Sequence, residues 1–247
     1  MFYQNYEELT WEEIEQIDKD SCYLLLPLAA IEQHGKHLPV GTDDYILNMC
    51  MEELNLRENK TGVKFLCLPK ISVGQSAEHM TFPGTLSFSV TTYQAMVHDI
   101  VASVAKHGFK KVIFVNGHGG NTTLLAGFSQ ELNLKYDVVI YNLDLPAIYN
   151  TCDRVPELSD VDVPCDVHAG DIETSLLLNR CKNLVHTDRI CDVPIYLDSF
   201  YNSWITRKIS PTGTIGRPSK ATEQRGKLIL DYMTDQMVVQ LEKMTSL

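Results

Sequence analysis

Apolar, β-branched runs alternate with helix-like segments along this 247-residue chain, and that alternation limits its fold more than any other feature. The runs are CYLLLPLA (22–29), VKFLCLPKI (63–71), KKVIFVNG (110–117) and DVVIYNLD (137–144). Strands without polar alternation are buried on both faces, which is typical of parallel sheets covered by helices. The sequence therefore predicts an α/β fold, a three-layer α/β/α sandwich with a mainly parallel central sheet.

The segments between these runs carry helix signals. Thr10 followed by Glu13 forms a capping box, which predicts a short helix before the first strand. Apolar periodicity predicts further helices at about 43–56, 91–107, 121–133, 171–180 and 221–244. Since no repeat, low-complexity tract or long linker interrupts this order, residues 1–247 are expected to form a single domain.

Composition limits the partners and the compartment. The net charge is −11 and no long run of Lys or Arg occurs, so neither nucleic acid nor an anionic membrane is an expected partner. The acidic N-terminus lacks the pattern of a signal peptide, and the apolar runs are too short to span a bilayer. Seven scattered cysteines without a CxxC pair indicate reduced thiols in the cytoplasm, each most simply a small buried hydrophobe.

The first strand is followed by IEQHGKHLPVGTDDY (31–45), which is rich in metal ligands and proton carriers. Open parallel sheets bind ligands beyond the carboxyl ends of their strands, which is where this segment lies. In extended chain, Glu32 and His34 face one site while Gln33 faces elsewhere. At the start of the next helix, Asp43 or Asp44 is expected to place a carboxylate near the same site, although a carboxylate there could equally cap the helix.

Two more segments place imidazoles or carboxylates at such positions. NGHGGN (116–121) puts His118 after a strand, although a glycine-rich turn could instead hold a phosphate with its amides. DVHAGDIETSLLL (166–178) puts His168 and Glu173 at a helix start. Each histidine alone is more often structural. Together, carboxylates and imidazoles at three such positions favour a metal site with nitrogen and oxygen ligands.

Five segments resemble the creatininase family, also called creatinine amidohydrolase-like proteins. They are EQHGKHLPVGTD, SAEHMTFPGTLSFS (76–89), NGHGGN, HAGDIETS and TGTIGRPSKATEQRGKLIL (212–230), in order between about residues 21 and 240. The resemblance implies a three-layer hydrolase that holds two divalent metal ions per chain, Zn, Mn or Fe, and a homo-oligomer, commonly a hexamer. The ligands that it implies are Glu32, His34, Asp43 as the bridging carboxylate, His118 and one further glutamate.

The chain departs from creatininase itself in two places. Creatininase has a glutamate two residues after the histidine of the glycine-rich segment, where this chain has Gly120. Other branches of the family share the glycine and draw the acid from the HAGxxET segment, so Glu173 is the implied fifth ligand. The aromatic residues that hold creatinine before the HAG motif are also missing here, so creatinine is not the expected substrate.

The resemblance also implies roles beyond the ligands. Glu78 and His79 are the implied substrate-binding residues, with a buried polar contact as the alternative. A water activated by two metal ions would attack a carbonyl. His168 is the candidate catalytic residue that moves a proton to the leaving group, or else it orients Glu173 or a bound water.

The expected reaction is hydrolysis of a C–N bond in a small cyclic or linear amide, with a small molecule as substrate. The same site could instead open the formamide of an opened purine, a peptide, or the C–C bond of an inosose-type ring ketone. A non-catalytic nucleotide or sugar binder, using GHGGN as an anion nest, is the alternative from another class. The aromatic segment 196–205 is expected to be a subunit interface or a pocket lid.

Overall fold

The computed structural model describes residues 1–197 and 203–246. Its sheet has five strands in the order β1-β3-β2-β4-β5. They are β1 (Gln4–Asn5), β2 (Cys22–Leu28), β3 (Lys64–Cys67), β4 (Lys111–Asn116) and β5 (Val139–Asp144). Every neighbouring pair is parallel, so the carboxyl ends of the strands lie along one edge of the sheet.

Helices connect and cover these strands. They are α1 (Trp11–Gln16), α2 (Thr42–Leu56), α3 (Val90–Lys106), α4 (Gly119–Tyr136), α5 (Leu145–Tyr149), α6 (Asp171–Arg180), α7 (Thr206–Ile209) and α8 (Glu223–Thr245). The predicted helices are all present, and α1 carries the predicted capping box. β1, α5 and α7 were not predicted, because elements of two, five and four residues are too short to show a periodicity. No helix within the described ranges is long and apolar enough to cross a membrane.

Two buried clusters sandwich the sheet. Along β2, Tyr23 and Leu25 pack into one cluster while Leu24 and Leu26 pack into the other, as the two-residue repeat of a strand requires. Side chains of α2, α6 and α8 complete the first cluster, and side chains of α3 and α4 complete the second. This arrangement confirms the predicted three-layer α/β/α sandwich. It leaves the carboxyl edge of the sheet free to carry polar groups.

The second predicted strand is shorter than expected. β3 ends at Cys67, although the apolar run continues to Ile71. Pro69 has no N–H to donate, and beyond it only an isolated bridge joins Ile71 to Leu28. The cysteines follow the prediction more closely: all seven are free thiols, and all are buried except the half-buried Cys181 and the exposed Cys191.

The position of α6 depends on close packing against α8. Gly226 of α8 is buried, and a Cβ atom there would overlap the main-chain carbonyl of Ser175 and lie 2.9 Å from the Cβ of Asn179. The missing side chain therefore lets the two helices approach each other. Since α6 begins with Glu173 in its first turn, this contact also sets where that carboxylate lies.

We expect Gly226→Ala to destabilise the fold by about 1–3 kcal/mol, because the added methyl group forces the two helices apart. Gly127→Ala is the matched control, since Gly127 is an exposed residue within α4 with open space around its Cα. That change should stabilise the chain by up to about 1 kcal/mol through helix propensity. Urea unfolding followed by circular dichroism measures both. Equal effects of the two substitutions would contradict the packing argument.

Candidate metal centre

A cavity of about 660 Å³ opens at the carboxyl edge of the sheet. The acidic and imidazole side chains that line it are Glu32, Asp43, Glu78, His79, His118, His168 and Glu173. They come from the loop after β2, the first turn of α2, the short helix at 77–79, the turn between β4 and α4, and the segment that leads into the first turn of α6. The topology therefore brings together residues that lie up to 141 positions apart in the sequence.

Glu32, Asp43 and His118 form one group whose ligand atoms all lie within 4.8 Å of one another. Nδ1 of His118 lies 3.0 Å from Oδ2 of Asp43, and Nε2 of His118 lies 3.4 Å from Oε2 of Glu32. Glu32 and Asp43 are only 1% and 3% exposed, so water cannot solvate their charge. A carboxylate buried to this degree requires a cation or a proton beside it.

His34, His168 and Glu173 form a second group within the same distance limit. Nε2 of His34 lies 3.3 Å from Oδ1 of Asp43 and 3.7 Å from Oε2 of Glu173. Asp43 thus directs one oxygen at His118 and the other at His34. Its carboxylate lies between the two groups.

In His34 and in His118, the ring nitrogen that does not face Asp43 is hydrogen-bonded to a main-chain carbonyl. Nδ1 of His34 donates to the carbonyl oxygen of Glu32 at 3.0 Å, and Nε2 of His118 donates to that of Gln75 at 2.9 Å. For a neutral imidazole, the nitrogen that faces Asp43 then carries a lone pair. A main-chain carbonyl that fixes the tautomer in this way is typical of histidines that bind metals.

Several buried atoms in this cluster lack a hydrogen-bond partner, namely Oε2 of Glu32, Nε2 of His34 and Oδ2 of Asp43. Imidazole lone pairs that face carboxylate oxygens repel one another unless positive charge lies between them. Divalent cations bound by nitrogen and oxygen atoms, one at each group, would satisfy these atoms. The donor set therefore fits a metal ion.

The pKa values of the buried acids and histidines in this cluster also indicate that positive charge is needed between them. Burial raises the pKa of Glu32 to about 8. Burial opposes the charged form of His118 as well, yet Glu32 and Asp43 outweigh it and raise its pKa to about 10. The pKa of His34 likewise rises well above its usual value, through Asp43 and Glu173. Asp43 is also buried, but the two histidines hold its pKa below the usual range. Without another cation, protons occupy the space between these groups.

The prediction that Gln33 faces away from the site is wrong. Its side-chain amide nitrogen lies 2.8 Å from Nδ1 of His79 and 3.0 Å from Nε2 of His168. β2 has already ended at Leu28 and the chain turns at Gly35, where φ is +66°, so the two-residue repeat of a strand no longer applies. Gln33 therefore lies behind the two histidines and contacts both of them.

His79 and His168 complete a third group around Glu32. Nε2 of His79 lies 3.4 Å and Nδ1 of His168 lies 3.6 Å from Oε1 of Glu32, and the two rings stack with centroids 4.3 Å apart. Burial lowers the pKa of His168 to about 4, and it lowers the pKa of His79 further. Both rings are therefore neutral near pH 7.

Asp44 lies outside the cluster. Its carboxylate accepts a hydrogen bond from Nζ of Lys70 at 2.6 Å, and Lys70 also donates to Asn48. Helical phase explains the difference, because consecutive residues of α2 point about 100° apart and only one of the two aspartates can face the cavity. Asp43 therefore faces the cavity, whereas Asp44 forms an ion pair with Lys70.

The cavity also has walls outside the predicted site residues, one of them from the aromatic segment that was expected to be a subunit interface or a pocket lid. Gln75, Thr123, Tyr149 and Trp204 line the cavity. Trp204 belongs to the aromatic segment 196–205, of which residues 198–202 lie outside the described part of the chain. The half-buried ring of Trp204 stands edge-on to His79 with centroids 6.0 Å apart. Tyr149 ends α5, and the only sequence signal for it was its position after a strand.

Comparison with known proteins places these observations in a family. The model of the creatininase family, described as creatinine amidohydrolase, matches residues 7–241. A mycofactocin precursor peptide peptidase from Mycobacterium ulcerans is 29% identical over 90% of this chain and 85% of its own. Creatinine amidohydrolase from Pseudomonas putida is 28% identical over 91% and 90%. A crystal structure of creatininase covers 98% of both chains with a TM-score of 0.79 and 24% identity, which shows the shared fold.

We expect Asp43→Asn to strip the protein of divalent metal, because the amide removes the charge that faces both imidazoles. Asp44→Asn is the matched control: it breaks the ion pair with Lys70 and should leave the metal content near normal. Elemental analysis of the purified variants measures both. Metal loss in Asp44→Asn alone would show that the wrong aspartate has been assigned to the centre.

Proposed function

Because the chain belongs to the creatininase family, we propose that this enzyme hydrolyses a C–N bond of a small cyclic or linear amide at a centre of two divalent metal ions. The observation that carries the proposal is the buried carboxylate of Asp43, which has a histidine nitrogen 3.3 Å from one oxygen and another 3.0 Å from the other. A carboxylate placed in this way is suited to bridge two cations. The substrate is a small molecule other than creatinine.

In this proposal Glu32, Asp43 and His118 would hold one ion, and His34, Asp43 and Glu173 would hold the other. Their nitrogen and oxygen atoms suit Zn, Mn or Fe. Two such ions, when bound, supply a hydroxide near neutral pH and polarise the substrate carbonyl. Support for the choice of metals comes from solved creatininase structures, which include one named for Mn and one of Zn-Zn type.

His168 is the proposed proton carrier. Its neutral ring lines the cavity and directs Nδ1 toward Glu32 at 3.6 Å, so this nitrogen is able to take a proton from the attacking water and give it to the leaving nitrogen. The water oxygen bonds to the carbonyl carbon as the C–N bond breaks, and the products are an acid and an amine. Glu78 and His79 are the proposed substrate-binding residues in the cavity wall.

Peptide hydrolysis is the second candidate, and two observations favour it. The cavity of about 660 Å³ is large enough for a ligand of more than one residue. The relative from Mycobacterium ulcerans is named as a peptidase that acts on a precursor peptide. Hydrolysis of a formamide or of an inosose-type ketone would use the same centre.

Three further parts of the proposal concern the whole chain. We propose a single hydrolase domain over residues 1–247, a homo-oligomer that is a hexamer by family resemblance, and a cytoplasmic location. The free thiols suit a reducing compartment. The net charge of −11 argues against nucleic acid or an anionic membrane as a partner.

We expect His168→Asn to keep its metal and to lose turnover by on the order of a hundred- to ten-thousandfold, because only proton transfer is removed. The assay is hydrolysis of lactams, formamides and short peptides, with the best wild-type substrate taken forward. Elemental analysis of the same sample is the control. Metal loss in this variant would make His168 a ligand.

We expect Glu173→Gln to lose or weaken one of the two metals and nearly all activity, because the uncharged amide no longer balances a divalent cation. The main-chain N–H of Ala169 donates to this carboxylate at 2.6 Å, and loss of that capping contact alone would cost only about 1 kcal/mol.

Asp171→Asn is the control for Glu173→Gln. Asp171 is a buried acid in the same helical turn that pairs with Arg225 instead of the cluster. It should lower stability and leave the metal content intact. Two metals at wild-type affinity in Glu173→Gln, measured by competition with a chelator, would place the fifth ligand elsewhere.

A further inference from the structure

The side-chain amide of Gln33 has one possible orientation. Its Oε1 accepts from the main-chain N–H of Gly35 at 3.0 Å, and its Nε2 donates to the carbonyl oxygen of Gly213 at 3.2 Å. If the amide were turned over, oxygen would face oxygen and N–H would face N–H. The main-chain N–H of Gln33 also donates to Oγ1 of Thr85, so the backbone of this residue is held as well.

This orientation determines which ring nitrogen of His79 carries the proton. The side-chain nitrogen of Gln33 can only donate, so Nδ1 of His79 at 2.8 Å must accept. The hydroxyl of Thr206, 2.9 Å from the same nitrogen, then also donates to it. An imidazole that accepts at Nδ1 carries its proton on Nε2. In His79 that nitrogen faces Glu32 and Glu78, 3.4 and 4.0 Å away. His79 therefore presents an N–H to the buried carboxylate of Glu32.

The main-chain carbonyl of Gln33 determines which ring nitrogen of His168 carries the proton. Nε2 of His168 lies 2.6 Å from the carbonyl oxygen of Gln33. A carbonyl oxygen only accepts, so Nε2 of His168 must carry a proton. The side-chain nitrogen of Gln33 lies 3.0 Å from the same Nε2, but its two hydrogens go to His79 and Gly213, so this contact is not a hydrogen bond. The neutral ring then has its lone pair on Nδ1, the nitrogen that faces the cluster.

The glycine-rich tail segment makes room for this arrangement. Gly213 has a φ of +86°, and a Cβ atom there would overlap Oε1 of Gln33. Both the backbone conformation and the close approach require glycine. The TGTIG stretch at 212–216, which supplies no side chain to the three groups of candidate ligands, therefore holds Gln33 in place through Gly213.

We propose that Gln33 is a positioning residue which sets the tautomers of both histidines, His79 through its side-chain amide and His168 through its main-chain carbonyl. The inference rests on the proposed function, because it makes His168 a proton acceptor and His79 a donor that orients the ligand Glu32. Partners of this kind typically change activity or metal affinity by on the order of ten- to a hundredfold.

The test is long-range ¹H–¹⁵N correlation NMR of zinc-loaded protein labelled in the histidine rings, in which protonated and unprotonated nitrogens resonate far apart. Signals are assigned with His79→Asn and His168→Asn. In the wild type, both rings should show a protonated Nε2 and an unprotonated Nδ1. A protonated Nδ1 on His79, or an unprotonated Nε2 on His168, overturns the proposal whether or not any substrate has been found.

Gln33→Glu sharpens the test, because a carboxylate oxygen beside Nδ1 of His79 accepts a proton instead of donating one. His79 should move to the Nδ1-protonated form while His168 stays unchanged, and kcat should fall by about ten- to a hundredfold with little change in KM. Gln33→Met, which has a similar length and no hydrogen bonds, should give a mixture of His79 tautomers.

Gln75→Glu is the control for the exchange of amide for carboxylate. Gln75 lines the same cavity but contacts His118 through its main-chain carbonyl, so the His79 signal should not change. If His79 keeps its wild-type tautomer in both folded Gln33 variants, Gln33 only fills space and the proposal fails. If neither variant folds, the wild-type spectrum still decides the tautomers.

Discussion

The buried carboxylate of Asp43, with an imidazole facing each of its oxygens, is the interaction on which the rest of the site depends. Burial of this charge is costly unless positive charge lies on both sides of it. His34 and His118 each direct one ring nitrogen at this carboxylate. The other ring nitrogen of each donates to a main-chain carbonyl, that of Glu32 for His34 and that of Gln75 for His118. The parallel sheet makes this possible, because it delivers the loop after β2, the start of α2 and the end of β4 to one edge.

The fold and the composition of the site were predictable because both depend on regular repeats. Apolar runs located the longer strands, and the common direction of parallel strands placed Glu32, Asp43 and His118 together. The irregular segments were not predictable. Gln33 lies where the chain has left β2, so no repeat sets its direction. The residues alone left Asp43 and Asp44 open, because that choice depends on the phase of a helix whose first residue the sequence does not define. Only the family resemblance selected Asp43.

The position of Glu173, the last carboxylate of the site, depends on how the outer helices α6 and α8 pack. At Gly120 of α4 a Cβ atom would overlap Nε2 of His118, and the carbonyl of Gln75 fills the adjacent space. The proposed fifth ligand, Glu173, lies instead in the first turn of α6. Because α6 packs closely on α8 through Gly226, this contact in the outer layer helps to position Glu173, whose Oε2 lies 3.7 Å from Nε2 of His34. Tyr149 and Trp204 then form the aromatic walls of the remaining space.

The most direct test of the proposed two-metal centre is a crystal structure of the protein grown with zinc, with anomalous diffraction data collected on both sides of the zinc absorption edge. Two anomalous peaks per chain are expected, one bounded by Glu32, Asp43 and His118 and the other by His34, Asp43 and Glu173. Each oxygen of Asp43 should contact a different ion. A single peak, or two ions that do not share Asp43, would contradict the central claim.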